Sequence, residues 1–340
     1  MIIDCHGHFT TVPGYFREYR KQQIADFADG KTSGFTPAPK ISDDEIREGL
    51  ESNQLARQRE LGIDMVLFSP IAGLMGHNHG NESLSQHWSA TCNDLIARVC
   101  DLYPDDFAPV GQLPQSPGAS PSGCIAEMER CVDMGFVGFN LNPDPTGGFW
   151  TEPPLTDEQW FPLYEKMCEL QVPAMIHVSG SATPSVHGTG AYYLNGNTAA
   201  FCQLLMGDLF SRFPDLQFII PHGGGSVPYH WGRYRGLAAD RDLPSPDEMI
   251  KGNVLFDTCV YYQPGMDLLA DTVPAENIIF GSEMIGAVRG VDPETGTYYD
   301  DTPRFVKALD IADTDREKIF EGNARRIYPR LDARLKAAGK

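Results

Sequence analysis

The segment Met1-Ile2-Ile3-Asp4-Cys5-His6-Gly7-His8 constrains the chain more than any other stretch. An apolar run ending in His-x-His reads as a buried strand, and in an extended strand residues two apart share a face. His6 and His8 therefore project in parallel, with Asp4 behind them and Cys5 alternating to the other side. Two imidazoles side by side at a strand end are half of a metal site. A fold that completes the site must bring further ligands to the same end of the same sheet.

The rest of the chain supplies such a sheet. Short β-rich runs recur at 62–70, 107–113, 136–142, 173–178, 216–222, 253–258 and 277–283. Helical patterns at 42–61, 82–102, 121–134, 156–170, 198–213, 229–239 and 266–271 alternate with them, and two more, at 302–309 and 313–321, follow the last. Ser42 with Glu45 forms a capping-box signature, and Gly62 stops the first helix. Strands alternating with helices imply parallel pairing and right-handed crossovers. Eight such units close most naturally into an α/β (β/α)8 TIM barrel. A doubly wound sheet is disfavoured because no G-x-G-x-x-G turn follows the first strand, and Gly223-Gly224-Gly225 lacks P-loop spacing. One domain, 1–340, is expected. Its first connection, about 9–41, is expected to run irregularly through Pro13, Gly14, Gly30, Gly34, Pro37 and Pro39, with Arg17, Arg20 and Lys21 in reach of a substrate or second subunit.

The formal net charge of −19 argues against nucleic acid or an anionic membrane as partner, while a few local arginines still suit an anionic small molecule. No apolar run is long enough to span a bilayer, and a strand starting at Met1 leaves no room for a signal peptide, so a cytoplasmic location is expected. Eight scattered cysteines without a C-x-x-C pair read as reduced. The long first connection and Tyr298-Tyr299 suggest a homodimer.

In such a barrel, chemistry collects at the carboxyl ends of the strands. Those ends carry His6 and His8 (first), His177 (fifth), His222 (sixth), Asp257 (seventh) and Glu283 (eighth). Four imidazoles and two carboxylates facing one mouth are costly to assemble without a cation. Three histidines and a carboxylate suit one Zn²⁺ with a position left for water, and Mn²⁺ or Fe²⁺ tolerate the same donors.

The H-x-H, the two later histidines and the final acid, in that order, resemble the amidohydrolase superfamily over nearly the whole chain. Asn140 and Asn142 stand where a carbamylated lysine would end the fourth strand, which implies a mononuclear site in a TIM barrel of the metal-dependent hydrolase type. The sequence is similar to the branch containing the aminocarboxymuconate-semialdehyde decarboxylases. Glu283, where that branch usually has Asp, is shared with the 4-oxalomesaconate hydratases. Pro221-His222-Gly223-Gly224-Gly225 and His6-Gly7-His8-Phe9-Thr10 fit them too.

The resemblance implies a metal-dependent hydro-lyase of an unsaturated tricarboxylic keto acid in protocatechuate catabolism. It implies His6, His8, His177 and Glu283 at the metal, with Glu283 as ligand, base or both. His222 is expected to orient water or polarise the ketone, and Tyr193 or Tyr192 to give the proton. Arg289, Arg233, His77 and Asn195 are expected around the substrate. A decarboxylase of the same branch, a lactone hydrolase and a barrel stabilised by metal without activity are the competing readings.

Overall fold

The apolar runs become strands because every residue in them is buried on both faces, between helices outside and the barrel axis inside. In this computed structural model, residues 1–31 and 36–340 are described; Gly34 of the first connection lies outside them. The strands are β1 (Ile3–His8), β2 (Met65–Ser69), β3 (Phe107–Gln112), β4 (Gly138–Leu141), β5 (Ala174–Ile176), β6 (Phe218–Ile220), β7 (Val254–Asp257) and β8 (Ile278–Ile279). They lie side by side in chain order, each neighbouring pair parallel. The Cys5 N–H donates to the Phe280 carbonyl at 2.9 Å and the Glu283 N–H to the His6 carbonyl at 2.8 Å, which joins the last strand's exit to the first. This is the expected TIM barrel.

The helices before β5 are α1 (Gly14–Ala28), α2 (Asp43–Glu51), α3 (Gln54–Leu61), α4 (Glu82–Leu102), α5 (Ser122–Asp133) and α6 (Phe161–Leu170). After it come α7 (Tyr193–Leu205), α8 (Leu209–Arg212), α9 (Trp231–Ala239), α10 (Pro246–Ile250), α11 (Gln263–Thr272), α12 (Thr302–Lys307), α13 (Asp313–Glu317), α14 (Asn323–Ile327) and α15 (Pro329–Ala337). None is long and apolar enough to cross a membrane. Ile3, Cys5, Met65, Leu67, Val110, Met175, Ile219, Leu255 and Ile279, alternate positions of successive strands, fill the axis. Tyr328, Leu331 and Leu335 join that cluster from the C-terminal helices. The opposite faces, Val66, Phe68, Phe139 and Phe256 among them, pack beneath the helices.

Two expectations change. The first connection is not irregular throughout, since it contains the 15-residue α1. Strict alternation also fails in β1, where the register shifts between Asp4 and Gly7. Ile3 and Cys5 share the axial cluster, and the shift lets His6 and His8 face the barrel mouth above them. Asp4 meets the pair through the main chain, accepting from the His6 N–H at 3.0 Å, and it also ties to Ser282 beyond β8.

Candidate active site

Four imidazoles meet at the mouth, and each is fixed through its Nδ1. His6 Nδ1 lies 2.7 Å from Asp257 Oδ2, and His8 Nδ1 lies 2.7 Å from Ser69 Oγ and 3.2 Å from the Pro70 carbonyl. His177 Nδ1 is 2.7 Å from the Val178 carbonyl, and His222 Nδ1 is 2.7 Å from Asn197 Oδ1. Carbonyls and carboxylates only accept, so His6, His8 and His177 carry their proton on Nδ1. The Asn197 amide is turned by its own Nδ2–H, which donates to the Ile176 carbonyl, so Oδ1 faces His222 and the same holds there. The Ser69 hydroxyl donates to the Gly7 carbonyl and is free to accept.

All four Nε2 atoms are then lone pairs, and they converge. His6 Nε2 and His8 Nε2 are 3.1 Å apart, two acceptors with no proton between them. The Nε2 atoms of His177 and His222 are buried without a hydrogen-bond partner. An orphaned buried acceptor costs roughly 1–3 kcal/mol, and two facing lone pairs add repulsion. One cation removes both costs, so the residues present fit a divalent metal. Ligand atoms of His6, His177, His222 and Glu283 lie within 4.8 Å of one another. The rings of His6 and His177, 5.3 Å apart, each stand 5.0–5.2 Å from His8 and from His222, so two near-equilateral triangles share one edge. Burial, with the neighbouring imidazole of His6, pushes His8 down to about 3, and burial with the neighbouring imidazoles lowers His177, so both stay neutral and able to ligate.

Glu283 is delivered by a strained, tightly tied turn. Its φ is +48° and that of Ile285 is +57°. Asp4 accepts from the Ser282 N–H at 2.9 Å and from its hydroxyl, while Ser282 Oγ accepts from the Met284 N–H at 3.1 Å. Tyr261 donates to the Ser282 carbonyl at 2.9 Å. A Cβ on Gly286 would meet Glu283 Cγ at 2.7 Å, so only glycine lets that side chain lie where it does. Glu283 Oε2 stands 3.5 Å from His222 Nε2. Burial alone would raise its carboxyl, but the imidazoles of His222, His6 and His8 gathered around it hold it well below the ordinary range.

Above this cluster is a cavity of about 180 Å³ lined by His8, Thr10, Arg17, Tyr193, Glu283 and Arg289, among others. Tyr193 packs its ring 5.0 Å from His177 and 5.7 Å from His222. Burial and the charge of Glu283 raise its phenol, which stays protonated. Tyr192 turns the other way and donates to Asp144 Oδ2 at 2.8 Å. That carboxylate also accepts from the N–H groups of Thr146, Gly148 and Trp150 and organises the loop after β4. Tyr192→Phe is therefore expected to cost about 2 kcal/mol of stability, read by denaturant titration, with catalysis nearly intact. Tyr193→Phe is expected to leave stability alone and lower turnover on the order of 10²-fold.

The other expected contacts lie elsewhere. His77 is buried with Nδ1 2.9 Å from Ser85 Oγ and does not line the cavity. Asn195 and Arg233 are exposed on α7 and α9 and do not line it either. Asn197, Asp257, Ser69, Thr10 and Arg17 contribute instead. Asn197 is buried two residues beyond Asn195 on α7, and Asp257 is the carboxylate behind His6.

The sequence model of the family described as Amidohydrolase matches residues 3–330. The chain is 60% identical over 340 residues to the 2-keto-4-carboxy-3-hexenedioate hydratase of Sphingobium sp. (strain NBRC 103272 / SYK-6), covering 100% of this chain and 99% of that protein. A crystal structure of 4-oxalomesaconate hydratase from Rhodopseudomonas palustris matches with a TM-score of 0.91 at 52% identity, covering 100% of this chain and 99% of the other. The 2-amino-3-carboxymuconate-6-semialdehyde decarboxylase of Dictyostelium discoideum is 26% identical over 245 residues, 68% of this chain and 64% of that one.

Proposed function

The chain belongs to the amidohydrolase family, and we propose from that membership that it is a metal-dependent hydratase of an unsaturated tricarboxylic 2-keto acid. The substrate is 2-keto-4-carboxy-3-hexenedioate and the product 4-carboxy-4-hydroxy-2-oxoadipate, the 4-oxalomesaconate hydratase step of protocatechuate 4,5-cleavage. The observation that carries this reading is the full-length identity of 60% to a hydratase of that name.

His6, His8 and His177 would hold the cation, with Glu283 as a further ligand or as the base, and His222 beside Glu283. Zn²⁺ suits this donor set, and Mn²⁺ or Fe²⁺ can replace it. A cation held there lowers the pKa of water from about 16 to about 7. Glu283 takes the proton of the water that adds to C4, the carbon β to the ketone. His222, whose Nε2 is an acceptor, orients that water beside Glu283 instead of polarising the ketone. Electrons of the C3–C4 double bond move onto the ketone oxygen, Tyr193 gives a proton to C3 as the ketone re-forms, and the resulting phenolate regains from solvent the equivalent of the proton that Glu283 took and then releases. Water is thus consumed once: its hydroxyl on C4, a proton on C3. Arg289 at the cavity wall meets a substrate carboxylate.

The reaction belongs in the cytoplasm with the rest of aromatic catabolism. A homodimer is expected, supported by exposed Phe149, Tyr229 and Tyr262 on the loops after β4, β6 and β7. Tyr298 is not a free contact, because Arg57 stacks on its ring at 3.4 Å.

The test is an ultraviolet assay of the zinc-loaded protein with the unsaturated acid, followed by mass spectrometry. Loss of the conjugated absorbance, gain of one water, and abolition by a chelator with recovery on adding zinc are expected. Release of carbon dioxide would move the chain to the decarboxylases, and a chelator without effect would remove the metal.

A further inference from the structure

Two arginines face one cavity without a carboxylate to neutralise them. Arg17 on α1 and Arg289 on the loop after β8 both line the space above Glu283 and Tyr193. The chain has 46 acidic residues against 27 basic ones, so a guanidinium would ordinarily find an acid. Among the described residues neither of these does. Arg17 donates only to the Thr10 carbonyl, at 3.1 Å. The acid that lines the cavity, Glu283, is turned to His222.

The two cations are close enough to feel each other. Burial first, and then the like charge of Arg289, lowers the Arg17 guanidinium. Thr10 adds a third unmatched group: its Oγ1 is buried, has no hydrogen-bond partner among the described residues, and belongs to a residue lining the same cavity. Repulsion between paired guanidiniums and an idle buried hydroxyl are both relieved by one anion placed among them.

We propose that Arg17, Arg289 and Thr10 form a carboxylate subsite that holds the substrate carboxylate furthest from the histidine cluster and selects polycarboxylates over monocarboxylates. The subsite deepens the hydratase reading, because only a substrate with a carboxylate remote from the reacting ketone fills it. Arg17 comes from α1, so the first connection supplies part of the specificity and β8's exit supplies the rest.

The test separates the subsite from the reaction. Zinc-loaded protein is titrated calorimetrically with tricarballylate, a saturated tricarboxylate that cannot be hydrated, and with 2-oxobutyrate, which has one carboxylate. Arg17→Met is expected to weaken tricarballylate about tenfold or more while 2-oxobutyrate binding changes less than about twofold. Arg17→Lys should recover part of the loss, and metal content should match the parent protein. If Arg17→Met does not fold, Arg17→Gln takes its place in the same titration. Equal tricarballylate affinity in parent and variant overturns the subsite, as does a parent protein that binds tricarballylate no better than 2-oxobutyrate. Should tricarballylate depend on Arg17 while the unsaturated acid is not hydrated, the reaction assignment fails and the subsite stands.

Discussion

Glu283→Gln is expected to lower kcat about 10³-fold while the protein keeps its fold. The amide has the carboxylate's size and packs over Gly286 in the same way, so the turn survives. The ties that hold it are backbone and neighbour contacts: Asp4 to Ser282, Tyr261 to the Ser282 carbonyl, and the Glu283 N–H to His6. What the amide cannot do is take a proton. Turnover, metal content and melting temperature measured together distinguish this from unfolding. Full activity in the variant would remove Glu283 from the chemistry.

His177→Ala is expected to lose metal and activity together. His177 Nε2 is buried and has no partner among the described residues, so its role is outward, toward a cation. Removing it takes one vertex from both ring triangles. The fall in metal affinity should exceed the roughly 10–100-fold typical of losing an outer partner. Asp257→Asn provides that comparison, since Asp257 acts on the metal only through His6 Nδ1. Metal stoichiometry after gel filtration reads both. A His177→Ala protein that retains stoichiometric zinc would displace His177 from the ligand set.

The strand-end residues were legible because a barrel makes few choices there. Each apolar run of suitable length puts its last residues at the mouth, so His6, His8, His177, His222, Asp257 and Glu283 follow from strand placement alone. Contacts supplied by helices and loops were not legible in the same way. α1 escaped notice because its buried side chains include Arg20 and Gln23 beside Phe16, leaving no apolar stripe to reveal a 3.6-residue period. Asn195, expected around the substrate, is exposed on α7 while Asn197 faces His222, because the chain makes a wide helical turn over Gly188–Tyr192 before α7, which sets a phase that no local pattern announces. Cys5 lay on the wrong face for a related reason: a one-residue register shift in β1 is invisible to strict alternation. Tyr192 and Tyr193 were equivalent in sequence. Only the distant Asp144 separates them, by engaging the first.

The hydrogen bonds that join β1 to the exit of β8 place the histidine pair and Glu283 on opposite sides of one seam. About 280 residues of chain separate those partners, a sequence span that only closure of the whole barrel bridges. On a ribosome the first strand therefore emerges long before its acidic counterpart exists. The nascent chain holds an incomplete ligand set, with His6 and His8 awaiting His177 and then Glu283. With the ligand set proposed above, stable metal capture would be a late event of biosynthesis, coincident with closure of the ring of strands, and the ion would bridge the two ends of the sheet.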